Sequence, residues 1–261
     1  MGYKAEARER SVILLDDGKM SSFYLVAGKE AALLVDTGMA EEPLRPYVEQ
    51  MTNKPLSLAV THGHGDHVAH AGEFDTVYMN PKDLAILPSA LKRLGIAQNV
   101  DPDHFLSFTD GQTIAAWEFS LRGVEVGGHT PGSMIYYEEK RHLLFTGDAV
   151  GSGVDVWMQL AGCAPLSQYR QALLRLAAFW ETLPADTLVF SGHAAQRYMH
   201  PSGDNPVCLD MVYDMVTLCG RILEGKQEKI AASPIYVREI SPAYAAEYGR
   251  ASMIYTDQVI R

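Results

Sequence analysis

The chain has 261 residues, 47% hydrophobic and 21% charged, a composition that supports a sizeable core and excludes a disordered chain. Its formal charge of −10 argues against non-specific nucleic-acid binding and against docking on anionic lipid, because both need a cationic footprint. No run of about 18 apolar residues occurs and the N-terminus lacks a signal-peptide core, so a cytoplasmic protein without a membrane span is expected.

Along the chain, Ser22 to Val26 is rich in β-formers and Gly28-Lys29 reads as a turn. Ala31 to Val35 is a short apolar run ending at Asp36-Thr37-Gly38, the pattern of a strand buried on both faces. A helix is expected from Glu42 to Met51, and another short buried strand from Leu56 to Val60 runs straight into Thr61-His62. Asn80 to Gly95 reads as helix with Gly95 as its C-cap. Phe105 to Gly151 returns to strands separated by glycine turns. Ser167 to Leu183 is a strong amphipathic helix with Ser167 as N-cap candidate. Thr187 to Phe190 is a further buried strand, Pro206 to Gly225 a second long helix, and the tail from about Ile230 has no clear pattern. Strands alternating with amphipathic helices indicate sheets covered by helices. No repeat or linker divides the chain, so one domain over residues 1–261 is expected.

The informative stretch is Thr61-His62-Gly63-His64-Gly65-Asp66-His67. Three imidazoles and a carboxylate fall within six residues, and these donors suit zinc, manganese or iron. The glycines between them allow a tight bend that aims several side chains at one point. The cluster follows a buried strand, which places it at a strand's carboxyl end. Three further polar residues stand beside glycine at strand-to-loop junctions: His129 in Gly-Gly-His-Thr-Pro-Gly, Asp148 in Phe-Thr-Gly-Asp, and His193 in Phe-Ser-Gly-His.

Together these motifs resemble the metallo-β-lactamase superfamily, over about residues 20 to 195. The resemblance implies an α/β (α+β) chain folded as an αββα sandwich, two mixed sheets face to face with helices outside. It implies that His62, His64 and His129 hold one metal ion. Asp66, His67 and His193 would hold a second, and Asp148 would bridge the two together with a hydroxide. The cofactors are then two divalent metal ions, zinc ahead of iron or manganese. Asp66 takes the catalytic role of orienting the nucleophile or carrying a proton. Asp36 either supports the ligands or caps its own turn.

The implied activity is a dinuclear metal-dependent hydrolase, glyoxalase II-like, acting on a small ester, thioester or lactone. Two alternatives stay open: a mononuclear iron oxygenase like the persulfide dioxygenases, and β-lactam hydrolysis. His64 stands where flavin-coupled diiron relatives carry glutamate, and the acidic balance speaks against nuclease relatives. The partner is a small-molecule substrate, with no nucleic acid or membrane; a homo-oligomer is compatible with the sequence. Trp157 and Tyr198 are the substrate-binding candidates, weighed against ordinary packing. His70 reads as supporting or structural, and His104, His142 and His200 as surface residues. Arg197, Arg221, Lys226 and Lys229 read as solvated helix-face cations, and Met158, Met211 and Met215 as core filler. Cys163, Cys208 and Cys219 read as reduced structural thiols, since three scattered cysteines make neither a disulfide framework nor a CxxC site.

Overall fold

A computed structural model describes residues 2–19, 21–93, 95, 101–116, 118–199, 205–233 and 242–260. The strands β1 (Lys4–Ala7), β2 (Val12–Asp16), β3 (Ser22–Ala27), β4 (Ala32–Val35), β5 (Leu56–Ala59), β6 (Val77–Met79) and β7 (Phe105–Ser107) lie side by side in chain order. The first three pairings are antiparallel, and β4 through β7 are parallel. A second sheet is built from β8 (Thr113–Ala116), β9 (Phe119–Glu125), β10 (Met134–Glu138), β11 (Leu143–Gly147) and β13 (Leu188–Ser191). Only the β11–β13 pairing in it is parallel. A third, smaller sheet joins β12 (Val156–Met158) to the C-terminal strands β14 (Ile230–Ala231), β15 (Tyr244–Tyr248) and β16 (Ala251–Tyr255).

Period-two alternation divides each strand between two cores. In β3, Tyr24 and Val26 face the second sheet, where they meet Tyr136, Leu143 and Phe145. Phe23 and Leu25 point the other way, onto α1 (Arg45–Glu49), α2 (Gly65–Val68) and α3 (Leu87–Arg93) through Leu44, Val48, Val68 and Leu91. The outer face of the second sheet packs on α4 (Leu166–Trp180) and α5 (Leu209–Leu223). In α4 the buried residues Leu166, Tyr169, Ala172, Leu173, Leu176 and Ala177 follow the 3.6-residue period. The layers are therefore helix, sheet, sheet, helix, as expected. Among the described residues no helix is long and apolar enough to cross a membrane.

Several local expectations are corrected. The helix expected over Glu42–Met51 is only Arg45–Glu49, because Pro43 and Pro46 confine it to the stretch where their missing N–H groups do no harm. The helix expected over Asn80–Gly95 is a 3-10 turn at Pro81–Asp83 followed by α3. Ser167 is not the N-cap of α4; the helix starts at Leu166 behind Pro165, with no side-chain cap. Lys226 and Lys229 lie beyond the end of α5, and Lys229 pairs with Asp257. β1 was not anticipated, since Lys4 to Ala7 is exposed throughout and carries little apolar signal. His104 donates to the Phe74 carbonyl, His142 faces Asp186, and His200 lies outside the described residues. The three cysteines are free thiols.

The two sheets are joined directly behind the histidine cluster. The Met134 N–H donates to the Thr61 carbonyl at 2.8 Å, and the buried Tyr136 hydroxyl donates to the Val60 carbonyl at 2.6 Å. Tyr136→Phe is expected to lower unfolding free energy by about 1–2 kcal/mol, because a buried bond is lost without a compensating partner. Urea denaturation of the two proteins measures it, and equal midpoints contradict this role for the hydroxyl.

Candidate metal centre

The residues flagged by the motifs converge at one end of the sandwich. Asp36 ends β4, Thr61 and His62 follow β5, Asp148 follows β11, and His193 follows β13. His129 arrives on the turn between β9 and β10. All but the His129 turn lie at carboxyl ends of parallel strands, where backbone direction delivers several loops to one place.

The ligand-type atoms form three overlapping groups: His62, His64 and His129; His62, His67 and Asp148; Asp66, His67 and His193. Asp148 is central. Its Oδ2 lies 3.1 Å from His193 Nε2, 3.7 Å from His67 Nε2 and 3.8 Å from His129 Nε2. Asp66 Oδ2 is 3.5 Å from both His67 Nε2 and His193 Nε2. Two donors on one tetrahedral zinc stand about 3.3 Å apart, given bonds of about 2.0–2.1 Å. The spacings fit that requirement.

The outward ring nitrogens are already committed. His67 Nδ1 is 2.9 Å from Asp36 Oδ2, and His129 Nδ1 donates to the Trp157 carbonyl at 2.8 Å. His62 Nδ1 faces Thr61 Oγ1 at 3.1 Å. Each bond fixes a tautomer and leaves Nε2 as the free donor atom. The Nε2 atoms of His62, His67 and His129, and Asp148 Oδ1, are buried with no hydrogen-bond partner among the described residues. Four buried polar atoms without partners at one point are costly unless something binds them. The donor set fits a metal ion.

Asp36 supports the ligands rather than merely capping a turn. It adopts a left-handed conformation at φ 62°. From there Oδ1 accepts the Thr61 N–H at 2.7 Å and Oδ2 accepts the Thr61 hydroxyl at 2.8 Å. His70 turns away to Glu73 and Tyr3, and its structural role holds. Trp157 is not a core residue: it is 39% exposed on β12 while its carbonyl holds His129. The Tyr198 side chain lies outside the described residues. Sequence reading missed Thr61 and the Trp157 carbonyl as supports. A threonine before the first histidine is a visible cue, whereas a carbonyl carries no residue signature.

A family model described as the metallo-beta-lactamase superfamily matches residues 16–193. The chain belongs to the metallo-beta-lactamase superfamily. It is 27% identical over 187 residues to the probable metallo-hydrolase YqgX of Bacillus subtilis, covering 66% of this chain and 84% of that protein. It is 29% identical to the hydroxyacylglutathione hydrolase of Xanthomonas axonopodis pv. citri, covering 65% of this chain and 58% of the relative. It is 25% identical to the human acyl-coenzyme A thioesterase MBLAC2, covering 53% and 61%. The solved DIM-1 metallo-beta-lactamase superposes with a TM-score of 0.61 at 16% identity, over 85% of this chain and 99% of that one, a likeness of fold. The chain is an enzyme, a hydrolase of this superfamily.

The two halves of this hydrolase's centre differ electrostatically. Burial, reinforced by neighbouring imidazoles, holds His62 and His64 well below the usual histidine range, and burial lowers His129 too. Burial also disfavours charge on His67 and His193, but Asp66 and Asp148 outweigh it. His67 is raised well above its ordinary value and His193 to about 9. Asp66 and Asp148 stay ionised, because those two rings overcome the upward push of burial. Burial pushes the Cys163 thiol up to about 12, which disfavours the nucleophilic thiolate.

Because His193 is raised in the fold, its stabilisation is complete below about pH 6.5 and is lost as pH rises through about 9. Thermal melts of chelator-treated protein are expected to fall across that window; a flat profile contradicts the pairing. Gly192 is a second test. A Cβ there would stand 2.3 Å from Asp148 Oδ1 and 2.9 Å from His67 Cε1. Gly192→Ala is expected to displace both and cut metal content by more than half, measured by elemental analysis of folded protein.

Proposed function

We propose that the chain is a dinuclear metal-dependent hydrolase of small acyl substrates, thioesters before esters and lactones. The observation that carries the reading is the set of orphaned Nε2 and carboxylate atoms shared among three overlapping ligand groups. His62, His64 and His129 would hold one ion, Asp66, His67 and His193 the other, with Asp148 between them. Divalent ions bound there supply a water of lowered pKa and a Lewis acid for the acyl oxygen. A single-iron centre needs only part of this set, and the Asp66–His67–His193 group supports a second ion.

The chain's own residues favour an easy leaving group. Asp66 is the most exposed of the ligand carboxylates, with 24% side-chain exposure, and it is held ionised. Ionised, it can accept a hydrogen bond that orients the attacking water, and it carries no proton beforehand with which to meet the leaving group. A thiolate, with a pKa near 8.5, departs without a strong general acid, whereas an alkoxide does not. The relatives named for hydroxyacylglutathione and acyl-coenzyme A share that thioester bond and differ in the carrier. The exposed Trp157 indole, on the strand that anchors His129, offers an apolar wall to the acyl group.

Purified protein is expected to hold two divalent ions, to lose hydrolysis on chelation and to regain it with zinc or manganese. Thiol release from S-acylglutathione and acyl-coenzyme A should exceed turnover of a lactone, an ester and a β-lactam. Asp66→Asn should lower kcat by about a hundredfold or more. Metal well below one ion per chain without activation by added zinc or manganese overturns the reading. One iron per chain with oxygen uptake on a persulfide does so as well.

A further inference from the structure

Asp83 closes the 3-10 turn after β6 and is fully buried. It belongs to none of the three ligand groups. Its carboxylate is nonetheless filled by the ligand loops. Oδ2 accepts the Gly63 N–H at 2.8 Å and the Thr130 hydroxyl at 2.7 Å, and Oδ1 accepts the Gly132 N–H at 2.6 Å. Gly63 separates His62 from His64, while Thr130 and Gly132 follow His129. One rigid group therefore spans the two loops, from different sheets, that bring three imidazoles together.

The approach is close. A Cβ on Gly63 would lie 3.1 Å from Asp83 Cβ, and one on Gly132 would lie 2.7 Å from Asp83 Oδ1. The glycines make room for this carboxylate, beyond any bending they allow. Burying a carboxylate is expensive, and stability alone is often as well served by apolar packing. Three donors drawn from the ligand loops indicate a gain in register.

We propose that Asp83 is a positioning residue that sets the separation of His129 from the His62–His64 pair, and so tunes metal affinity and geometry at that half of the centre. The proposal rests on the metal reading above. Asn at this place keeps the volume but has one acceptor oxygen, so an amide N–H meets a backbone N–H and at least one tether is lost.

The test titrates metal-free protein with Co²⁺ and Zn²⁺ against a chromogenic chelator and records the cobalt d–d spectrum. Asp83→Asn is expected to weaken the tighter site about tenfold or more and to shift the cobalt bands. Glu138→Gln is the control, since Glu138 is also a buried carboxylate and accepts the Ser120 and Arg141 N–H groups away from the ligand loops. It should lose stability with affinity and spectrum unchanged. If Asp83→Asn does not fold, Thr130→Val removes one of the three bonds and should shift both readouts in the same direction by less. Folded variants that bind cobalt and zinc like wild type overturn the role of Asp83 alone. Wild-type protein that takes up neither ion overturns the metal reading and this one with it.

Discussion

The buried carboxylate of Asp36 is the constraint on which the centre depends. A carboxylate with almost no solvent access is tolerated only when its oxygens are met by donors. All three donors come from the ligand segment: the Thr61 amide, the Thr61 hydroxyl and the His67 ring. Satisfying one charge therefore fixes where the segment begins, how α2 starts and which nitrogen of His67 faces inward. The left-handed backbone at Asp36 is the strain accepted to aim it, the kind of local cost that concentrates at functional sites.

A centre built this way is not symmetric. The three-histidine half is neutral, since burial strips charge from its rings. In the other half, Asp66 and Asp148 favour the protonated rings of His67 and His193 when no metal is bound. A cation entering the first half meets free nitrogens, whereas a cation entering the second half competes with protons.

The strands ending in Asp36, His62, Asp148 and His193 were legible because each is a short apolar run that stops at a polar residue beside glycine. That pattern is local, and so was the site. The exposed β1 and the C-terminal sheet were not legible, because their pairing depends on distant partners and not on their own apolar periodicity. The false helix at Asn80 arose from a pattern that ignored Pro81 and the burial of Asp83. Asp83 itself is 20 residues from Gly63 and its Gly132 partner is 49 away, so nothing in the sequence joins them. The Trp157 anchor escaped for a different reason: the group that binds His129 is main chain.

That last feature bears on how such a scaffold diversifies. β12 pairs with β16, so the strand carrying the anchor is braced by a C-terminal hairpin beyond the matched family region. Any amino acid at position 157 presents the same carbonyl to His129. Exchange of the side chain at 157 therefore leaves that hold on the buried His129 ring in place. A position that acts through its main chain can vary in sequence without loosening the ring it holds.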